Sequence, residues 1–211
     1  MIRLKVNKEV FDMPQTWGEL TVEQYLKVIN TTATNQEIID TLACKPVNPL
    51  FIEVIYPFLK WLEKPIDIEQ YKTNEKINIK DYSFGKYILL ELDLQKKENV
   101  IKAYSIYFDE NKILAEALPI ANKIINQFFE CKKWESEHLG FKPTNEQVRA
   151  GIDKFDQFGR QNTIDMLANG DVLKYDSVLA LDVNTVFAKL KRIKIENDFQ
   201  RNYQKIMSEK K

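Results

Sequence analysis

Leu20-Thr21-Val22-Glu23-Gln24-Tyr25 and Tyr82-Ser83-Phe84-Gly85-Lys86-Tyr87 are two versions of one helix start, sixty-two residues apart. In each, a hydroxyl residue (Thr21, Ser83) stands where its oxygen caps free backbone N–H groups of a first helical turn. In each, an apolar residue before the cap (Leu20, Tyr82) is placed to pack on one five positions later (Tyr25, Tyr87), as in a hydrophobic staple. The repetition predicts two related α-rich units in tandem, about 1–65 and 66–139.

Outward from the first start, Ile2-Arg3-Leu4-Lys5-Val6 alternates apolar and charged residues. That is the pattern of a strand with one buried face. Asn7-Lys8 predicts the turn of a hairpin into Val10-Phe11, ended by Pro14. Helices are expected at about 22–30, at 36–44 with Asn35 as cap, and at 50–63, which Pro49 opens. Pro57 should kink or split the third. Ile66, Ile68, Ile77 and Ile79 alternate with polar residues and predict one or two short strands. Around the second start, helices are expected at 84–95, 97–108 and 119–138, with Pro119 in the first turn of the last.

Gly140-Phe141-Lys142-Pro143 reads as a linker into a helical subdomain, 140–211. It is opened by a capping box from Thr144 to Gln147. Helices are expected over 145–157, stopped near Gly159, and over 161–169, stopped at Gly170. Asp171 should cap a short helix to about Leu181, and Asp182 a long one past Met207. The fold class is mainly α with a few short β-strands.

The 211 residues include 31 basic and 31 acidic side chains, so the net charge is zero. That argues against a protein whose main task is to coat nucleic acid, which rests on neutralising phosphates. It suits a subunit that sits against neighbours. Six glycines are well under the usual ~7%, which points toward helix. No apolar run reaches the ~18 residues of a membrane span. With no secretory signal a disulfide is not expected, and Cys44 and Cys131 read as small buried apolar residues.

Candidate chemistry is sparse. His138, the one histidine, has no cysteine at ligand spacing and suits the end of a helix as a dipole-complementing group. Cys131 is two turns away on the same helix, about 10 Å, too far for a nucleophile and its base. There is no nucleophile elbow, phosphate loop or dinucleotide fingerprint. Asp165, Asp171, Asp176 and Asp182 recur every five or six residues but fit caps and surface better than a metal site. From Lys189 to Lys211 eight basic residues face three acidic ones, a net +5. This end suits a solvated helix terminus, an acidic partner or nucleic acid. Val186, Phe187, Leu190 and Ile193 lie on one helix face, while Ile195, Phe199, Tyr203 and Ile206 shift away from it. The first half should therefore pack on its own domain and the second on a neighbour, as a helix in a groove. Trp17, Tyr25, Tyr87, Trp134, Arg192, Phe199, Arg201 and Tyr203 are the candidate interaction residues. No catalytic, metal-binding or cofactor-binding residue is expected.

Met13-Pro14-Gln15-Thr16-Trp17-Gly18-Glu19-Leu20-Thr21-Val22-Glu23-Gln24-Tyr25 resembles the opening of a family of small proteins from tailed bacteriophages of Bacteroidetes, including crAss-like phages. A helical block and a second similar start follow there, as at Asp81–Tyr87 here. The stretch Asn162–Lys174 also looks like one found in such proteins. The resemblance implies a tail or neck component or a tail assembly chaperone, and no catalytic residues. The expectation is a virion subunit assembled in the bacterial cytoplasm, forming a ring in the head–tail connector or tail. Its partners would be further copies of itself and other tail or neck proteins. Neither a small-molecule substrate nor a membrane is expected, and nucleic acid only by proximity to the DNA channel. The alternatives are a tail assembly chaperone absent from the mature virion, and a nucleic-acid-binding regulator using the basic last helix.

Overall fold

The computed structural model describes residues 1–29, 32–64, 66, 71–95, 100–108, 112–140 and 143–209. The protein is mainly helical, with one N-terminal β-hairpin. The chain forms two compact units that interleave in sequence. Unit 1 is Met1–Ile77 with Asp93–Ile125, and unit 2 is Asn78–Leu92 with Asn126–Lys211. The junctions expected near residues 65 and 140 are therefore not their boundaries. Two long helices carry the chain from one unit to the other, and sequence patterns mark helix ends, not passages through a helix.

In unit 1, β1 (Ile2–Val6) and β2 (Glu9–Met13) pair antiparallel with Leu4 opposite Phe11. The alternation buries Leu4, Phe11 and Met13. Asn7 makes the turn at φ 55°, a left-handed conformation that asparagine tolerates. α1 (Val22–Val28) is capped by Thr21, whose Oγ1 accepts from Gln24 N–H while Gln24 Oε1 accepts from Thr21 N–H. α2 (Asn35–Ala43) is capped by Thr34, one residue before the expected Asn35. Thr34 prevails because Glu37 stands three residues on and completes its capping box. Cys44 then ends α2 at φ 54° and is exposed, contrary to expectation. From Pro49 the backbone runs as a 3₁₀ turn to Phe51, α3 (Ile52–Ile55), and a further 3₁₀ segment Tyr56–Glu63. The change of winding falls at Pro57, which cannot donate the α-helical bond.

The expected strands over 66–80 do not form among the described residues, where 71–78 are irregular and Ile79–Asp81 is a 3₁₀ turn. Ile68 lies outside the described residues. Ile77 and Ile79 are buried all the same, and in unit 2 Ile79 N–H is taken by the Gln127 side chain at 2.8 Å instead of by a neighbouring strand. α4 (Phe84–Gln95) matches its expected span. α5 is Val100–Tyr107, the expected 97–99 lying outside the described residues. α6 (Leu114–Leu139) starts five residues before Pro119, which sits inside it.

The start of α6 is fixed at long range. Val22 N–H donates to Lys112 C=O at 3.0 Å and Leu114 N–H to Leu20 C=O at 2.6 Å. The first turns of α1 and α6 thus satisfy each other's leading N–H group, which no helix can satisfy internally. Unit 2 repeats the device. There Phe84 N–H donates to Leu181 C=O at 2.7 Å, and Val183 N–H to Tyr82 C=O at 3.0 Å. The caps Thr21 and Ile113 face each other in one unit, Ser83 and Asp182 in the other. Ser83 Oγ accepts from Lys86 N–H at 3.4 Å, but lysine in the place of Gln24 offers no oxygen in return.

Unit 2 continues through α7 (Asn145–Arg149), capped by Thr144 with Gln147. The helix expected to reach 157 breaks at Gly151, φ 86°, and resumes as a 3₁₀ segment Ile152–Phe158. α8 is Arg160–Leu167 and α9 is Tyr175–Ala180, preceded by the 3₁₀ turn Val172–Lys174 that Asp171 caps. α10 (Val183–Glu209) is capped by Asp182, whose carboxylate accepts from Thr185 N–H at 2.8 Å. Hydrogen bonds from Thr185 hold the Asp182 carboxyl below its ordinary range. No helix among the described residues is long and apolar enough to cross a membrane.

Gly85, in the first turn of α4, lies against the backbone before α10. A β-carbon there would stand 3.3 Å from Leu179 C=O. Gly85→Ala should therefore fail to gain the ~1 kcal/mol that alanine ordinarily brings to a helix. Gly85→Val should destabilise by about 1–3 kcal/mol through overpacking. Urea denaturation of the three proteins checks both values. A full helix-propensity gain for the alanine variant would refute the close approach.

Candidate functional site

The chemistry that the sequence weighed resolves into structural roles. Asp171 and Asp182 are caps, Asp165 accepts from the Tyr175 hydroxyl at 2.7 Å, and Lys174 pairs with Asp171 at 3.0 Å. Among the described residues no three His, Cys, Asp or Glu side chains converge as metal ligands. His138 lies in the last turn of α6, stacks on Trp134 at 4.6 Å and places Nδ1 3.0 Å from Trp134 C=O. Cys131 is buried, and burial pushes its thiol up from its ordinary value.

Unit 2 holds a charge cluster that the sequence did not announce. Arg160, at the start of α8, donates from Nε to Glu91 at 2.6 Å and from both terminal nitrogens to Glu135 at 2.7 and 2.9 Å. Lys132 reaches Glu91 at 2.7 Å, and the Tyr87 hydroxyl donates to Glu135 at 3.1 Å. The carboxylates are only 13% and 11% exposed. Burial alone would raise the Glu91 carboxyl, but the hydrogen bonds from Arg160 and Lys132 outweigh it and hold it below the ordinary range. For Arg160 burial favours deprotonation, while the bonds from Glu135 and Glu91 overcome it and raise it further. A forked guanidinium is suited to two carboxylates at once, which a lysine is not. The cluster ties α4, α6 and α8 together. Its only sequence signal is spacing within helices: Lys132 and Glu135 stand three apart on α6, while their partners are set by tertiary folding.

Beside it lies a groove of about 610 Å³, lined by Lys132, Glu135, Leu139, Arg160, Met166, Leu190, Ile193, Lys194, Asn197 and Arg201. Lys194 donates to Gly140 C=O at 2.9 Å and closes one side of it. Its lining combines apolar side chains, among them Leu139, Met166, Leu190 and Ile193, with charged ones.

α10 changes character along its length. Val183, Val186 and Phe187 are buried, and Leu190, Ile193, Asn197 and Arg201 line the groove. Ile195, Phe199, Tyr203 and Ile206 are 59%, 61%, 51% and 52% exposed. Nine residues, two and a half turns, separate Val186 from Ile195, Leu190 from Phe199 and Asn197 from Ile206. The exposed stripe therefore lies on the face of α10 opposite its own unit. The Phe199 and Tyr203 rings stack at 6.1 Å along it.

In unit 1 Leu50, Val54 and Phe58 are exposed along the proline-broken segment. In the same unit, Trp17 meets Tyr25 and Trp61 edge to face at 5.6 and 5.2 Å, and donates from Nε1 to Lys64 C=O at 2.8 Å.

Of the residues singled out in the sequence, Phe199 and Tyr203 stand together on the stripe. Arg192 and Arg201 are exposed, pairing along α10 with Glu196 at 2.7 Å and Asp198 at 3.8 Å. Trp134 stacks flat on Phe187 at 5.3 Å as well as on His138. Tyr25 and Tyr87 are buried and fill the cores of their units, where Tyr25 meets Trp17 and Tyr87 meets Phe84, Phe128 and Phe187. Leu50 and Val54 are exposed although the sequence reading places them on a helix of unit 1 without marking them, because an apolar side chain on an amphipathic helix reads as core until the inward face is known. Comparison of the chain with protein-family models, curated proteins and solved structures finds no match.

Proposed function

We propose that this protein is a structural subunit of a tailed-phage virion, repeated as a ring in the head–tail connector or tail through protein–protein contacts. The observation that carries the reading is the exposed apolar surface on both units, above all the α10 stripe and the side chains of Leu50, Val54 and Phe58. Contiguous exposed apolar rows mark surfaces that a partner covers. The helix-start sequences that resemble phage tail and neck proteins supply the kind of assembly. A closed ring requires a head-to-tail interface, with different patches on the two sides of each subunit. Two different exposed apolar patches, one on each unit, supply unlike surfaces for such an interface.

Mass spectrometry of purified virions tests the reading, with copy number measured against the major capsid protein. A stoichiometric presence near a multiple of six supports it. Absence from virions with abundance in infected-cell lysate would replace it with the assembly chaperone, which also needs exposed apolar surface.

A further inference from the structure

We infer that the groove between the end of α6, α8 and α10 in unit 2 is a binding site for a small amphipathic monoanion, an apolar body that carries one carboxylate or sulfate group. The site lies within one unit, so the inference goes beyond the virion reading and does not rest on it.

Leu139 of α6, Met166 of α8, and Leu190 and Ile193 of α10 supply the apolar lining. None of the four belongs to the buried core, and Met166 is 43% exposed, so this surface meets water until a guest covers it. The unbranched thioether of Met166 can adapt its shape to that guest. The volume of about 610 Å³ falls within the roughly 300–1,000 Å³ of small-ligand pockets, which combine apolar walls with a few polar groups. A whole helix, about 10 Å across with its side chains, would lie on such a groove and not in it.

The charges decide the head group. Lys132 and Arg160 are spent on Glu91 and Glu135, two cations against two carboxylates. Asp198 is turned to Arg201 at 3.8 Å. Lys194 is left over. It is half-buried, its Nζ donates to Gly140 C=O at 2.9 Å, and it makes no ion pair with a carboxylate among the described residues. An ammonium has three N–H groups, so two remain for an anion that enters the groove. One surplus positive charge matches one negative charge. A second negative charge would meet Glu135 and Asp198, and a cationic head would meet Lys194. Partial burial keeps this attraction from being screened as a surface charge is.

Isothermal titration of the full chain with decanoate, decyl sulfate, decanol and decyltrimethylammonium tests this. Both anions should bind one to one, with a dissociation constant on the order of 100 μM. Decanol should bind roughly tenfold more weakly, and the cation weaker still. Octanoate, two methylenes shorter, should also bind roughly tenfold more weakly than decanoate. Lys194→Met keeps the side-chain stem, so it should weaken decanoate roughly tenfold and leave decanol unchanged. Met166→Glu should abolish anion binding with an unchanged far-UV circular dichroism spectrum, since the side chain is partly exposed. No binding at millimolar anion would overturn the inference, as would equal binding of the anions and the cation. Binding indifferent to Lys194→Met and Met166→Glu but lost in Phe199→Ser would place the alkyl chain on the outer stripe of α10, which also overturns it. So would a dimer in sedimentation equilibrium that Met166→Glu dissolves, because a second copy would then occupy the groove.

Discussion

Arg160→Met should destabilise the protein by about 3–5 kcal/mol, the cost of leaving buried charges without their partner. Methionine fills much of the volume of the arginine stem, so the loss is electrostatic and not a cavity. The guanidinium spends its three nitrogens on Glu91 and Glu135, and both carboxylates are almost wholly shielded from water. Lys132 remains near both, at 2.7 and 3.4 Å, but one ammonium cannot replace a fork. Urea denaturation followed by circular dichroism gives the value. The triple variant Arg160→Met/Glu91→Gln/Glu135→Gln should recover most of the loss, because removing a whole buried network costs far less than breaking it. The acid limb provides a second reading. Glu91 is held below its unfolded value, so its contribution is complete above about pH 4.5 and is lost as pH falls through the lower folded value. In Arg160→Met that acid-side loss should shrink, since the main partner that depressed Glu91 is gone. An Arg160→Met protein with wild-type stability and an unchanged acid limb would show that the cluster contributes nothing.

The elements that were legible in the sequence are those fixed within a few residues. The hairpin follows from the alternation of Ile2–Val6 and an asparagine that accepts φ 55°. The capping boxes at Thr21 and Thr144 follow from glutamine three residues on. The elements that were not legible depend on distant partners. Pro119 looked like a first turn because proline is favoured there, but the start of α6 is set by bonds to Leu20 and Val22. Ile77 and Ile79 alternate like a strand, yet a strand needs a neighbour, and Gln127 takes the one N–H that must be satisfied. The same division runs through the candidate site. The shift of apolar face along α10 could be read from the spacing of Leu190, Ile193, Ile195 and Phe199 alone. The Arg160 cluster could not, because Glu91 and Arg160 are sixty-nine residues apart and no local pattern links them.

Tyr87→Ala should cost about 3–5 kcal/mol, while Tyr87→Phe should cost only about 1. The ring is fully buried and meets Phe128 at 5.2 Å, Phe187 at 5.7 Å and Phe84 at 6.2 Å, so alanine empties the centre of unit 2. Phenylalanine keeps those contacts and removes one hydroxyl. Glu135 Oε2, which accepted from it, is still held by Arg160 at 2.9 Å, so no buried carboxylate is left bare. The hydroxyl matters in a different way as pH rises. Burial pushes the Tyr87 phenol far above its ordinary value, and the neighbouring Glu135 charge pushes it further, against a smaller pull from Arg160. In the unfolded chain the phenol ionises near pH 10. Below that pH both states are protonated and the contribution is complete. Above it the unfolded state loses a proton that the folded state keeps, so stability falls as pH rises toward the folded value. Wild type should therefore lead Tyr87→Phe by about 1 kcal/mol at neutral pH, and the lead should narrow and then reverse above about pH 10. Urea midpoints of the two proteins from pH 7 to 11 measure this directly. Because the other eight tyrosines are common to both chains, their ionisation cancels in the comparison. A lead that stays constant across the range would mean that Tyr87 ionises in the folded chain as readily as in the unfolded one, which a ring closed in by Phe84, Phe128 and Phe187 does not permit.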